Sequence, residues 1–539
     1  MNKKKIIITA IVALVVIFAV ISLSIFSGSS DEQPEKKEKA SKYSNKVCLA
    51  DNYIDALPEK PLAVVRVQAD KMLEKSEILK NSDMTKFYSD FKDILSDKMQ
   101  ESVDAFIANP SSAGIDLSKP VYAGVYMSDS VAVLATASVS DKMRLIEVLN
   151  SIIVDLDYQI VEQPDGLCYV ADNEGERIKN VAFDNKTLLV APYGDVMDFV
   201  AMGSSNLSKD AKYSALHAAQ SDVAMMSAVD NMLSPAKSSK GDAVVGTISK
   251  VLADASMNAT LDFVDGGADG VAKLKLQEKY KGITGVLKGA TGKHMEYIPS
   301  NAIAILNFKA DINVLYNMLP TLLDGVSSVS MIDNALEMFG IDKSFINTLS
   351  TEYSVAVLPA ELVGEDYGPR FILAVENPDR EIFDFVLDFF GKDKLEQVDK
   401  DVYALGFNKY VKKDKNGKLQ TLTAGNDYYI AYRSGTVFLV PQDVYRKCIV
   451  SRTASSSWFS GMKGKEVCLN SAKIKNSGMS FPSYFHMLME IFQVEAVTVD
   501  FDDVSHMTLR LDVSRKDCNM LKSATDKFCA NFLHSLFKQ

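Results

Sequence analysis

Five histidines stand in the 539 residues, His217, His294, His486, His506 and His534, and no two lie within five positions of each other. A transition metal needs three or four His, Cys or carboxylate ligands converging on one point, and spacings such as His-Glu-x-x-His or paired Cys-x-x-Cys deliver them locally. Neither spacing occurs, so no metal ligand is assigned. Nucleophile motifs are thin. Ser234-Pro235-Ala236-Lys237 fits the Ser-x-x-Lys of penicillin-interacting enzymes, but the companion Ser-Asp-Asn and Lys-Thr-Gly elements are missing. The adjoining Ser238-Ser239-Lys240-Gly241 reads as a loop, where a nucleophile should open a helix. There is no Gly-x-Ser-x-Gly elbow.

Gly289-Ala290-Thr291-Gly292-Lys293-His294 has the look of the end of a phosphate loop, yet Ser or Thr is absent after Lys293 and the preceding glycine is wrongly spaced. The better reading is a flexible loop. Asp70 and Asp311, and likewise Asp141 and Asp379, stand at equivalent strand-to-helix junctions. Carboxylates there accept the free N–H groups of a first helical turn, so all four are predicted as caps and not as general acids or bases. Twenty-two methionines, Met225, Met226, Met232 and Met257 among them, read as adaptable core. Trp458, in a Ser/Gly-rich stretch, is either a ligand platform or a plug over the core, with the plug favoured. No catalytic, cofactor-binding or metal-binding residue is assigned.

The elements around these residues are easier to read. Lys3-Lys4-Lys5 precede an apolar run, Ile6–Phe26, long enough at about 1.5 Å per residue to span the roughly 30 Å of a bilayer core. Basic residues stay cytoplasmic, so the chain beyond Phe26 is expected outside the cytoplasm. The run exceeds the apolar core of a cleaved signal, about 7–15 residues, which favours an anchor, although Ser27-Gly28-Ser29-Ser30 offers small residues to a peptidase. The first cysteine, Cys48, is too distant for lipidation. Residues 1–27 are thus a cytoplasmic tip and transmembrane anchor, and the mixed-charge residues 28–52 a flexible tether. A net charge of -11 excludes a phosphate-neutralising stripe and with it nucleic-acid partners. Four of six cysteines fall in the last quarter, and Cys518 and Cys529, about 16 Å apart along a helix, are too far apart to bridge each other.

Beyond the tether the chain reads as written twice, as residues 53–290 and 295–539. Ala63–Asp70 echoes Ala304–Asp311 at an offset of 241, and Thr187–Val190, Val223–Ala228 and Leu261–Phe263 find partners in the same order at Thr436–Leu439, Val467–Ala472 and Val499–Phe501. In the first echo Val65, Val67 and Ala69, and Leu306, Phe308 and Ala310, are expected on the buried face of a half-buried strand. Strands are predicted at 121–126, 131–137, 181–191, 354–358, 371–375, 428–432, 436–440 and 508–513, with amphipathic helices from Ser82 to Phe106 and from Cys518 to Leu536. Short connections make the pairs antiparallel hairpins. The expected class is α+β: two tandem related lobes of mainly antiparallel sheet packed by helices.

A proline-led strand ending in Ala-Asp, a helix, and Asn109-Pro110-Ser111-Ser112-Ala113-Gly114-Ile115-Asp116-Leu117-Ser118-Lys119-Pro120 before a hairpin resemble an uncharacterised family of extracytoplasmic, often lipid-anchored proteins of Gram-negative bacteria, grouped as a domain of unknown function. The resemblance covers nearly everything after Asp51 and implies an envelope location with no known activity. The expected function is therefore an envelope-displayed binding or scaffolding module that holds a protein or glycan partner. The alternative is an extracytoplasmic hydrolase with a site formed between the lobes.

Overall fold

The computed structural model describes residues 49–537 apart from 128–130, 154–157, 173–179, 193–194, 229–249, 323–333, 335, 338–341, 364–365, 406–408, 414–418, 424–427, 451–466, 471–472 and 474–488. The apolar run 6–26, the tether as far as Cys48, Ser234–Lys237, Trp458 and His486 lie outside the described residues. Among the described residues no helix is long and apolar enough to cross a membrane. The protein is α+β and built on a large antiparallel sheet. Its chain divides into two compact units, one of Met1–Gly241, Ala253–Asp265 and Asp517–Gln539, the other of Asp242–Leu252 and Gly266–Lys516.

The first unit contains β1 (Ala63–Val67), β2 (Val121–Met127), β3 (Val131–Ser138), β4 (Tyr158–Glu162), β5 (Cys168–Asp172), β6 (Val181–Phe183), β7 (Thr187–Val190), β8 (Val223–Ala228) and β9 (Ser256–Val264). They lie in the order β9-β8-β1-β2-β3-β7-β6-β5-β4, every pair antiparallel. The strand expected over 181–191 is two strands. Asp184 accepts the N–H groups of Lys186 and Thr187, and this side-chain turn folds the run back on itself. Helices α1 (Ala69–Ser76), α2 (Ser82–Phe91), α3 (Asp97–Ala108), α4 (Lys142–Ile153), α5 (Val196–Met202) and α6 (Ser214–Ala218) accompany the sheet. The single helix expected from Ser82 to Phe106 breaks after α2 into a 3-10 turn, Lys92–Ile94, and α3. Ser96 interrupts it with extended backbone at the start of α3.

Why the Asn109–Pro120 stretch has its letters is visible at Gly114. Its φ is +83°, and a Cβ there would stand 2.4 Å from the Asp141 carbonyl and 2.7 Å from the Leu145 nitrogen. Only glycine lets the turn approach the first turn of α4 this closely. The Gly114 carbonyl accepts from the N–H groups of both Ser140 and Asp141.

In the second unit are β10 (Gly267–Lys275), β11 (Leu287–Lys288), β12 (Ala304–Ala310), β13 (Glu352–Val363), β14 (Asp366–Glu376), β15 (Glu396–Asp399), β16 (Val402–Leu405), β17 (Lys409–Lys413), β18 (Leu419–Thr423), β19 (Tyr428–Arg433), β20 (Thr436–Pro441), β21 (Val467–Asn470), β22 (Val494–Asp503) and β23 (His506–Val513). The order is β22-β21-β12-β13-β14-β20-β19-β16-β15, again antiparallel throughout. β23 and then β10 extend it beyond β22, β11 touches β12 and β22, and β17 pairs with β18 apart from the rest. Helices α7 (Ile312–Leu322), α8 (Lys343–Leu349) and α9 (Glu381–Phe390) accompany the sheet of this unit.

Two face assignments change. In β12 the buried residues are Ile305, Asn307 and, as expected, Ala310, while Leu306 is 40% exposed. Met295, Tyr297 and Ile298 fold over the Ile305 side and join its core, so the polar-looking face is the covered one. In β1 both faces are covered, because Val64, Val65 and Arg66 are all buried. Alternation separates two faces, but neighbouring elements decide which is dry.

Among the predicted caps, the Asp141 carboxylate accepts from the Arg144 N–H at 3.0 Å, three residues into the helix. Asp311 precedes α7 and its carboxylate takes a backbone hydrogen bond from Val314. Asp379 receives a long bond, 3.4 Å, from Glu381, and Asn377 holds the Phe383 N–H of the same first turn. Asp70 is no cap. Helical backbone begins one residue earlier, at Ala69 after Gln68, and Asp70 bonds only the adjacent Lys71 N–H.

Candidate functional site

The least expected side chain in the first unit is Arg66. It sits on β1, between Tyr122 of β2 and Ala224 of β8 in register, and is 3% exposed. Its Nε and Nη1 are sealed from solvent and reach no hydrogen-bond acceptor. No carboxylate forms an ion pair with it among the described residues. A buried charge without an opposite charge is costly, on the order of several kcal/mol even after relaxation, and is rarely retained for stability. Two residues further on, Gln68 is also buried, with Oε1 lacking a donor.

The guanidinium acts on two tyrosines, Tyr53 through its charge and Tyr122 through its charge and a hydrogen bond. The rings of Tyr53 and Tyr122 stand 5.9 Å apart, and the Tyr122 and His217 rings meet edge-on at 5.7 Å. The His217 Nε2–H donates to the Leu207 carbonyl at 3.0 Å, which leaves Nδ1 to accept from the Tyr122 hydroxyl at 3.2 Å. Tyr53 donates to the Pro120 carbonyl, and the Tyr53 carbonyl accepts from Thr136, the β3 neighbour of Tyr122. Burial raises the pKa of both tyrosines, and Arg66 works against that rise in each. Asp116, which also acts on Tyr53, is held by Ser118 at 2.5 Å and Lys119 at 3.2 Å. The result is a cation with spare donors beside tyrosine hydroxyls, an arrangement suited to an incoming anion.

A second buried polar cluster, in the second unit, is self-contained. Asn307 occupies the fourth position of β12, as Arg66 does in β1, opposite Ser354 of β13. His294, 1% exposed, meets the Ser354 hydroxyl through Nδ1 at 3.2 Å. Burial holds the imidazole pKa down, to about 4, with Lys293 adding to the fall and Glu352 opposing it. The stretch read as a flexible loop wraps a carboxylate: Glu352 accepts from the Thr291 N–H and hydroxyl, the Gly292 N–H and the Lys293 N–H, at 2.8–3.3 Å. Burial pushes the Glu352 pKa up, but these bonds outweigh it and keep the acid below its usual range. Lys293 itself pairs with Glu376. The loop does cradle an anion, and the anion is its own protein's.

A serine and a histidine in contact invite a hydrolytic reading. Here the geometry is wrong for it. Ser354 and His294 are both sealed from solvent, the Nε2 that should meet an orienting acid has no partner, and the Glu352 oxygens are spent on the loop. Among the described residues no cluster of His, Cys, Asp or Glu could hold a metal ion. Cys168, Cys448, Cys468, Cys518 and Cys529 form no disulfide. Asp70 lines an open groove with Leu73, Glu74, Glu77 and Pro110.

Sequence reasoning passed over Arg66 because alternation assigned it to a wet face. The signal was present in Ala63-Val64-Val65-Arg66-Val67, where two adjacent valines already mark a strand buried on both sides.

The family described as Domain of unknown function (DUF4836) matches residues 53–413, well over half of the chain. The chain belongs to this family. The DUF4836 match begins at Tyr53, the first residue of the Arg66 cluster, and includes the His294–Ser354 cluster of the second unit as well. No curated protein matches the sequence. A solved structure titled "Structure of crystal form III of TP0453" is similar at 8% identity and a TM-score of 0.24, covering 42% of this chain and 81% of that one. A likeness that weak carries no argument.

Proposed function

We propose that this DUF4836 protein is a membrane-anchored binding protein of the cell envelope whose first unit takes an anionic group, a carboxylate or a phosphate, on Arg66. One observation carries the proposal: a buried guanidinium with two sealed N–H donors and no acceptor for either. An anion would satisfy a sealed donor by a charge-assisted hydrogen bond, at the Nε edge or at Nη1, which lie on different edges of the guanidinium plane. Binding rather than catalysis fits, because burial raises the Tyr122 pKa and His217, which accepts from its hydroxyl, is oriented by the Leu207 carbonyl and not by an acid. Placement outside the cytoplasm rests on Lys3–Lys5 and the run 6–26. Protease added to spheroplasts should digest the body, and a protected body would end that part of the proposal.

The reading also takes the two units as copies of one duplicated fold. The strand orders support it: β9-β8-β1-β2-β3-β7-β6-β5-β4 in one runs parallel to β22-β21-β12-β13-β14-β20-β19-β16-β15 in the other. So does the register. The row Arg66–Tyr122–Thr136–Leu189 answers to Asn307–Ser354–Ala374–Phe438. The duplication would then have kept a binding cation in one copy and replaced it by a neutral amide in the other.

The test is Arg66→Met, which removes the charge and keeps most of the stem. Calorimetric titration with a panel of small carboxylates and phosphates should find at least one that the wild type binds and the variant does not. The free variant should be as stable as wild type or more so, by up to about 4 kcal/mol, because an uncompensated buried charge is gone. A variant that loses stability while no anion binds the wild type would show Arg66 to be structural.

A further inference from the structure

The tail of each copy is found in the unit of the other. β9 ends at Val264 and β10 begins at Gly267, while β22 ends at Asp503 and β23 begins at His506, so the two hairpin positions correspond at an offset of 239. β10 and β23 pair antiparallel from Gly267↔Asp512 to Lys273↔His506, centred on Gly270↔Leu509. That centre joins two residues that are themselves 239 apart. From Gly267 to Lys273 each residue of β10 therefore faces the partner that its own counterpart would face, which is the signature of an isologous contact between two copies of one surface.

The segments behind the two strands repeat the relation. After β10, the 3-10 helix Glu278–Val286 packs in the second unit, where Tyr280 is 1% exposed among Val251, Leu315, Met318 and Leu322 of α7 and its surroundings. The Val286 carbonyl accepts from the Asp311 N–H at 2.7 Å, just before α7. After β23, the helix Met520–Phe537 packs in the first unit on α1 and α2, the elements that stand after β1 as α7 stands after β12. Lys522 pairs with Glu77, Asp526 accepts from Asn81 Nδ2 at 2.8 Å, and Asn519 Nδ2 donates to the Phe263 carbonyl at 2.8 Å. Leu521 and Cys529 of that helix are buried.

We propose that the repeat carries a self-complementary interaction surface, its last strand and the tail behind it, whose partner is a second copy of the same repeat, and that fusion into one chain has made this exchange intramolecular. Each unit is completed by the other copy's tail. The inference rests on the duplication proposed for the two units. Its consequence is reciprocal dependence: damage to the C-terminal tail is felt in the N-terminal copy, and damage to the middle of the chain in the C-terminal copy.

Hydrogen exchange on the full chain tests it. Leu521→Asp should lower protection at least tenfold in 69–91 and 256–264, with 304–322 and 494–503 unchanged. Tyr280→Ala, the mirror variant, should lower protection in 304–322 and leave 63–76 unchanged. Should Leu521→Asp prevent folding altogether, Tyr280→Ala decides alone. Loss confined to the copy that contains the substitution, or no loss in either variant, overturns the exchange. An experimental structure in which β1–β9 and their counterparts fail to superpose would instead overturn the duplication, whatever the exchange data show.

Discussion

His294 gives the protein a pH response whose size can be worked out. Its ring is neutral in the native state because burial removes the water that would solvate the imidazolium, so its pKa falls from 6.5 to about 4. In the unfolded chain the ordinary value returns. Above pH 6.5 neither state holds the proton and the residue is silent. As pH drops below 6.5 the unfolded chain gains a proton that the folded chain refuses, and stability is lost until pH reaches the folded value. Linkage between 6.5 and 4 puts the loss from pH 7 to pH 4.5 at about 2.4 kcal/mol, and the limit below pH 4 at about 3.4 kcal/mol. Carboxylates titrate over part of the same range, so wild type must be compared with His294→Leu at both pH values. The static effect of the substitution cancels in that double difference, as do the carboxylates that do not interact with His294; Glu352 does interact with it. Urea unfolding should show the variant losing about 2 kcal/mol less than wild type between pH 7 and 4.5. Equal losses in the two proteins, or an NMR titration placing His294 near 6.5, would contradict burial as the dominant influence on this ring.

Asp141→Ala should destabilise by about 0.5–2 kcal/mol in thermal or urea unfolding, because the Arg144 N–H loses its acceptor, whereas Asp70→Ala, an exposed position one residue inside the helix start, should stay within about 0.5 kcal/mol. Gly114→Ala should cost more than either, above about 2 kcal/mol, since it sets a Cβ against backbone at 2.4 Å in a left-handed conformation, and a native-like melting temperature would speak against that geometry.

The elements and much of their pairing could be read from the letters alone. Hairpins such as Val121–Met127 with Val131–Ser138 were legible because alternation and a short polar connection are local properties. The repeated letters at Ala63–Asp70 and Ala304–Asp311 were legible for the same reason, and both lead into helices as expected. The mixture of short alternating runs and amphipathic stretches likewise pointed to the α+β class. Which face of each strand is dry had to wait for the folded chain. Ile305 and Asn307 are covered because Met295, Tyr297 and Ile298 fold across them, and nothing within β12 states that. The same holds for the polar clusters. Glu352 reaches Thr291 across 61 residues and His294 reaches Ser354 across 60, so the spacing that would reveal a local motif does not exist. Arg66 is the sharpest case. Its letter says charge and its strand position says alternation, but its burial with two donors unmet depends on strands β2 and β8 closing on either side and on the core over its face. Whether a charge is solvated is a property of every atom within a few ångströms of it, and most of those atoms come from distant parts of the chain.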